Sequence, residues 1–444
     1  MTTNASTEGP GRRALIKASV GAGVALAAGS WTRPVRAQGK PTKLVYVGDN
    51  GPWHQCLVQE VAPAFEKEYG IRIDFTLLPI DALVARLKAE LSSGAGAIDI
   101  VQWDASMAGW VSRHMQDHAK LLEQAASRHP DFDWADFLPR VQGMATYDGK
   151  LSGIPYRVTT GVLFYQRKLL EQAGFNKPPG NFAELLAAAQ ATTKQGMPHR
   201  YGFGVMGRQG PAMLGSFTPF LRSAGGHYYN PKTGEIFVNQ PPAVEALQFY
   251  GDLMTKYKVM NPDSLTWEFD GIIAGGQNDQ FAMTVTLAPY GEGMSDPKLS
   301  KTAGNWGWSL MPGKDSIKQT ATYMAGWMLG VPEGAKHTDW SFEFIQMATS
   351  KKWLRRAIDL ADAPPRVSVL EDPAVLAKHP WAPVLGESLK TAVLDHQDPV
   401  WSTAQLPLRT AISQVLLGQK TAKQAMDDCA VQWERSFRLA GMKG

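Results

Sequence analysis

From Lys43 onward the apolar positions switch repeatedly between two periods. Leu44-Val45-Tyr46-Val47 is a β-prone run that predicts a strand. Leu57, Val58, Val61 and Phe65 recur at helical spacing and predict a helix from about His54 to Tyr69, ended by Gly70. Pro63 removes a backbone donor inside that helix, so a kink or a fresh first turn is expected there. Ile71, Ile73, Phe75 and Leu77 alternate as a second strand. Leu83, Val84, Leu87 and Leu91 form a helix with Asp81 as its cap, and Ile98 to Trp103 is a third strand. A βαβαβ order makes a parallel sheet, whose ligands sit beyond the carboxyl ends of the strands. That rule brings two loops forward: Gly48-Asp49-Asn50-Gly51-Pro52-Trp53 and Trp103-Asp104-Ala105-Ser106.

Farther along, Tyr147-Asp148-Gly149-Lys150-Leu151-Ser152-Gly153-Ile154-Pro155-Tyr156 joins a tight-turn Asp-Gly to an extended Ile-Pro step. Leu163-Phe164-Tyr165 is β-prone, and helices are predicted over Gln166 to Gly174, from Pro178-Pro179 to Thr193, and over Ala243 to Tyr257. A strand is expected at Tyr201 to Met206, and another at Phe281 to Val285 before the loop Leu287-Ala288-Pro289-Tyr290.

The ordered set D-G-K-L-x-G-I-P-Y, L-F-Y-x-R-K-L-L-E-Q-A-G, Pro178-Pro179 and Phe182 to Ala189 resembles the solute-binding proteins of carbohydrate ABC importers. Within them it is most similar to the maltose-binding-protein-like sugar and polyol branch of bacterial extracellular solute-binding protein family 1. The resemblance covers about residues 40 to 440. It implies an α/β periplasmic-binding-protein (Venus-flytrap) fold of two lobes with three hinge crossings. The first lobe is expected over 38–153 plus 311–352 and the second over 156–306 plus 358–444. Two positions depart from that branch: Ala325, where glycine is common, and the loop Ala288-Pro289-Tyr290, which lacks the usual Gly-x-Trp.

Composition adds an address. The chain has 444 residues, too many for one ordinary core, with 44% apolar and 19% charged residues, as in a soluble globular protein. Gly11-Arg12-Arg13-Ala14-Leu15-Ile16-Lys17 looks like a twin-arginine export signal; the weakly apolar run Ala18 to Gly29 and the small-x-small site Val35-Arg36-Ala37 follow it. Residues 1–37 are therefore read as a signal peptide cleaved after Ala37. With no cysteine at that site, the mature chain is expected free in the periplasm rather than lipid-anchored. The leader holds five of the 45 basic and one of the 41 acidic residues, leaving 40 of each. A neutral balance removes any whole-molecule argument for nucleic-acid or membrane binding. Cys56 and Cys429 are read as buried small hydrophobes, because a bond between lobes would oppose hinge motion.

Sugars present apolar C–H faces and a rim of hydroxyls, so their sites need flat aromatic surfaces and fixed donors and acceptors. The chain carries 14 Trp against 17 Phe, more tryptophan than a plain core uses. Position in loops at lobe edges selects Trp53, Trp103, Trp267, Tyr290 and Trp327 as stacking candidates, and Asp104, Tyr156, Arg157, Arg208 and Arg366 for hydroxyl recognition. Arg157 follows the crossing at Pro155-Tyr156, and Arg366 after Pro364-Pro365 serves either ligand or hinge.

Enzyme readings find less support. Gly202-Phe203-Gly204-Val205-Met206-Gly207 spells G-x-G-x-x-G but opens no evident helix. His114 and His118 stand four apart without a third metal ligand, and a wet helix face accounts for them. No metal or other cofactor is expected, and no catalytic residues. The expectation is capture of a small carbohydrate or sugar alcohol by a monomer that docks on the permease subunits of an ABC transporter, the partners being implied by the resemblance. An anionic polyol, clamped by Arg157 and Arg208, is the first alternative. A periplasmic carbohydrate-active enzyme is the second.

Overall fold

A computed structural model of the chain describes residues 39–194, 199–315, 322–360, 362–394 and 396–442. The leader, with its Arg pair and cleavage site, lies outside them. Eleven strands are named in chain order: β1 (Lys43–Asp49), β2 (Arg72–Leu78), β3 (Ile100–Asp104), β4 (Thr146–Tyr147), β5 (Lys150–Leu151), β6 (Ile154–Gln166), β7 (Tyr201–Gly204), β8 (Phe281–Leu287), β9 (Trp306–Ser309), β10 (Tyr323–Gly330) and β11 (Val393–Leu394). β4 and β5 form the hairpin that Asp148-Gly149 predicts. The other nine share one sheet with the path β2-β1-β3-β10-β6-β8-β7; β11 pairs with β10 and β9 with β6.

The opening βαβαβ unit folds as its pattern requires, with β1 parallel to both β2 and β3. The helix between β1 and β2 departs from a plain α-helix where Pro63 demands it. A π-helical turn, Leu57–Val61, precedes the α-helix Ala62–Tyr69, and Pro63 falls in the first turn of the second piece, where its missing N–H goes unnoticed. Pro79, not Asp81, occupies the N-cap of the next helix, Ile80–Ser93.

Strand β6 does two jobs. Ile154 to Thr160 pair with β10, and Gly161 to Tyr165 pair with β8. The register against β10 slips where Arg157 faces Trp327 and Pro155 faces Met328, leaving Tyr156 without an opposite residue. A proline cannot donate to the ladder, so a bulge beside it is the expected repair.

Two large apolar clusters flank the sheet. One gathers Leu44, Phe65, Leu87, Trp103, Ile154 and Met328; the other gathers Phe203, Phe220, Tyr250, Leu408 and Trp433. Leu370, Val375, Trp381, Leu385 and Leu389 belong to the first cluster. Ile272, Phe281 and Trp306, from the stretch read as the second lobe, join the first cluster too, so it draws on both expected lobes. An amphipathic helix pattern tells that a face is buried, but not in which of two cores. Cys56 lies in the first cluster and Cys429 in the second, both free and buried.

His118 also departs from expectation. It is fully buried, with Nδ1 2.9 Å from the Gln116 carbonyl and Nε2 accepting the Val331 N–H at 3.0 Å. Burial holds its pKa down at about 4. It braces a loop, and no wet face is involved. His114 ends a separate 3-10 turn, so helical spacing never applied to the pair.

A second histidine ties distant segments together. Buried His379 sits between two carboxylates, with Nδ1 2.7 Å from Glu292 and Nε2 2.9 Å from Asp359. Trp381 Nε1 donates to the same Glu292 oxygen at 2.6 Å, while Lys378, Arg355 and Arg356 crowd Asp359. Burial opposes the imidazolium, yet its bonds to Glu292 and Asp359 prevail and raise the pKa. Stability from a raised histidine is complete below the unfolded value and is lost as pH rises through the folded one. Urea unfolding at about pH 5.5 and about pH 8.5, either side of the unfolded histidine near 6.5, should therefore show a fall for the native protein that His379→Gln lacks. Equal falls in both would place the pH dependence elsewhere.

Candidate functional site

A cavity of 420 Å³ opens beside the bulge of β6. Its wall takes Asp104 from the end of β3, Arg157 and Thr159 from β6, and Ala325 and Trp327 from β10. Asp81, Val84 and Lys88 of helix Ile80–Ser93 line it too, as do Tyr290 of the 3-10 turn after β8 and Arg409 of helix Trp401–Leu416. Trp53, Leu287, Tyr290 and Tyr323 form a small apolar cluster of their own, and all four line the cavity. A larger hollow of 550 Å³ lies between Leu138–Val141 and Val367–Lys390. Its lining is aliphatic apart from Arg140, Glu371, Glu387 and Lys390, and it contains no buried side-chain polar atom lacking a partner among the described residues. Residues lining the smaller cavity do carry such atoms, which is the reason to favour it.

Arg157 dominates the site. Its side chain is 2% exposed, its Cζ lies 3.8 Å from the centre of the Trp53 ring, and its Nε lies 3.2 Å from Asp362 Oδ1 without hydrogen-bond geometry. Nη2 is buried and unpartnered, as are Thr159 Oγ1 and Tyr290 Oη. Burial drives the Asp362 carboxyl up to about 7, against the pull of Arg157. Burial likewise raises the Tyr290 phenol, which stays neutral at any physiological pH.

Behind this guanidinium runs a closed polar network. Trp53 Nε1 donates to Asp49 Oδ1 at 3.0 Å, and the Asp49 N–H donates to Gln102 Oε1 at 2.7 Å. His54 Nε2 reaches the same Gln102 oxygen at 3.0 Å, and Gln102 Nε2 donates to the Tyr156 hydroxyl at 3.1 Å. The network fixes Trp53, and Trp53 fixes the plane on which Arg157 rests.

Of the ten residues singled out from sequence, Trp53, Asp104, Arg157, Tyr290 and Trp327 line the cavity. The other five do not. Trp103 is fully buried, its indole filling space left by Gly153 and Gly330, where an added Cβ would come within 3.1 Å of Nε1. Trp103 and Asp104 are neighbours on one strand and point to opposite faces, so only one could reach the site. Tyr156 is held in the network above. Trp267 packs over Gly271 and Gly275, and Phe269 reaches the cavity in its place. Arg208 is 65% exposed and pairs with Glu268 at 3.5 Å on the surface. Arg366 is buried and spends its donors on the carbonyls of Phe132, Asp133 and Thr349 and on Asp136, tying loops together. The glycines of Gly202-Phe203-Gly204-Val205-Met206-Gly207 are packing glycines: an added Cβ at Gly202 would meet the Ala189 carbonyl at 2.0 Å, and one at Gly204 the Phe281 ring at 2.5 Å. A helix, Pro211–Ser223, does follow this stretch, contrary to expectation, though only after an intervening loop.

Sequence reasoning missed Thr159, Lys88, Trp401 and Arg409. Thr159 carried a signal, lying two residues beyond Arg157 on one strand face. Arg409 carried none, because nothing in its helix says that it faces a cleft.

The model of the bacterial extracellular solute-binding proteins matches residues 57–354, and the chain belongs to that family. It is a binding protein and not an enzyme. A probable ABC transporter-binding protein of Deinococcus radiodurans is 26% identical over 75% of this chain and 78% of its own length. The mannitol-binding protein of Pseudomonas aeruginosa is 23% identical over 94% of this chain and 98% of its own. An ABC transporter solute-binding protein of Agrobacterium radiobacter K84, solved in complex with ribitol, superposes with a TM-score of 0.80 at 22% identity. That alignment covers 89% of this chain and 99% of the other, and gives the shared fold.

Trp103 and Trp327 now separate. Trp103→Ala should cost about 3–5 kcal/mol of stability, as a large core truncation does, and show first as a lowered Tm. Trp327→Ala should weaken solute binding measured on protein still folded at the assay temperature. An unchanged Tm for the first would remove Trp103 from the core.

Proposed function

We propose that the chain captures a small carbohydrate or sugar alcohol in the periplasm and delivers it to the permease of an ABC importer. One observation carries the reading. Three residues that line the cavity beside Trp53 and Trp327, namely Arg157, Thr159 and Tyr290, carry buried polar atoms (Nη2, Oγ1 and Oη) without hydrogen-bond geometry to any described residue. Buried polar groups in native proteins have partners, and hydroxyls of a bound solute supply them. The volume of 420 Å³ is in the range of small-ligand sites, about 300–1,000 Å³, and suits a solute of one or two sugar units. The relatives named for mannitol and ribitol support the same class.

In this reading the chain forms two lobes, and the cavity lies where they meet. The chain crosses between lobes at β6, between β9 and β10, and between residues 352 and 358. Closure about those crossings buries the solute, and the closed form docks on the permease as a monomer. Residues 1–37 direct export through the twin-arginine route and are removed after Ala37. Among the described residues no helix is long and apolar enough to cross a membrane.

A thermal-shift screen of residues 38–444 against sugars, polyols, their acids and phosphates tests the reading. A solute at a hundred times its Kd adds about 2.7 kcal/mol to stability. Tyr290→Phe should lower affinity for the hit by about tenfold, the loss of one buried hydrogen bond, with Tm of the free protein little changed. A screen in which no member raises Tm sinks the assignment.

A further inference from the structure

The cavity holds more positive charge than a neutral sugar requires. Lys88, Arg157 and Arg409 reach it from three separate elements, against two carboxylates, Asp81 and Asp104. Asp104 is engaged already, accepting the Ser106 N–H at 2.9 Å and the Ser106 hydroxyl at 2.5 Å. Lys88 stands over the Trp110 ring at 5.4 Å.

The two guanidinium groups are less satisfied. Asp362, the counter-charge of Arg157, is outside the cavity lining and meets Nε without hydrogen-bond geometry, so Nη2 is left with no acceptor. Arg409 has its Nε buried and equally without an acceptor, and Asp81 is the acid whose field reaches it. Leaving a buried donor unpaired costs about 1–3 kcal/mol, and more when it is charged. A sugar hydroxyl can accept from one such donor. A carboxylate or phosphate accepts from several, in charge-assisted bonds roughly twice as strong as neutral ones.

The geometry points to a polyhydroxylated anion as the solute, a carbon chain of monosaccharide size carrying one acidic oxygen group. That group is held between Arg157 and Arg409, and the hydroxyls fall to Thr159 and Tyr290. Arg409 replaces the surface residue Arg208 as the second arm of the clamp. The assignment rests on the cavity being the solute site. Its source is either a sugar acid or a polyol phosphate, which share this chemistry.

Calorimetric titration of residues 38–444 with matched pairs tests it: gluconate against sorbitol, glucuronate against glucose, glycerol 3-phosphate against glycerol. At least one anion should bind ten or more times tighter than its neutral partner, and the winning pair tells carboxylate from phosphate. Arg409→Gln should erase that preference, bringing the anion's affinity down to that of its neutral partner. Asp81→Asn, at an exposed helix position, should tighten the anion severalfold and serves as the second variant if Arg409→Gln fails to fold. Neutral partners binding as tightly as their anions, or a preference unmoved by both variants, overturns the anion assignment and leaves the proposed function standing. Absence of binding by all six probes overturns both.

Discussion

A buried arginine holds the molecule's centre. Arg157 is brought against Trp53 from the loop after β1 and against Asp362 from the segment following Ile358–Leu360, so three stretches far apart in sequence meet at one charge. Taking a guanidinium out of water costs several kcal/mol unless partners surround it. The surroundings are therefore overdetermined: an aromatic face below, a carboxylate beside, and behind them a hydrogen-bonded chain through Asp49, Gln102, His54 and Tyr156. The network leaves Arg157 Nη2 without an acceptor, in a residue that lines the cavity.

Strand β6 makes that arrangement possible. Its first half belongs to a ladder with β10 and its second half to a ladder with β8, and the change comes at Gly161. A side chain there would strike the Pro219 ring at 2.5 Å, so glycine lets helix Pro211–Ser223 close on the strand at the junction. Just before it, Pro155 breaks the ladder and the bulge falls at Tyr156. The site thus sits where backbone pairing is weakest, between a bulge and a change of partner. Arg157 and Thr159 on such a strand are held from both ends, while the strand itself contributes to both apolar clusters.

The histidines show how context decides chemistry. His118 is neutral because it is buried, its hydrogen bonds made to backbone groups, one ring nitrogen near a carbonyl and the other accepting an N–H. His379 keeps a proton more firmly than usual because two carboxylates flank it from different parts of the chain. Nothing in the residues next to either one distinguishes them.

The sequence by itself determined the periodic elements, the parallel β2-β1-β3 unit, the Asp-Gly hairpin, the family, and half of the candidate site. It did so because those depend on local spacing, on turn chemistry and on the rule that ligands gather at strand ends. Trp53 and Asp104 follow from that rule, Arg157, Tyr290 and Trp327 from the crossing and lobe edges that the family resemblance implies, and all five line the cavity. Only the tertiary structure decided which face of each strand looks into the cavity, sending Trp103 to the core and Asp104 to the wall. It alone packed the helices from Val367 to Thr391 into the same apolar cluster as Leu44 and Phe65, put Arg366 to structural use, and delivered Arg409 from the far end of the chain. Those outcomes depend on which surfaces meet across hundreds of residues, and periodicity records that a face is buried without recording what it is buried against.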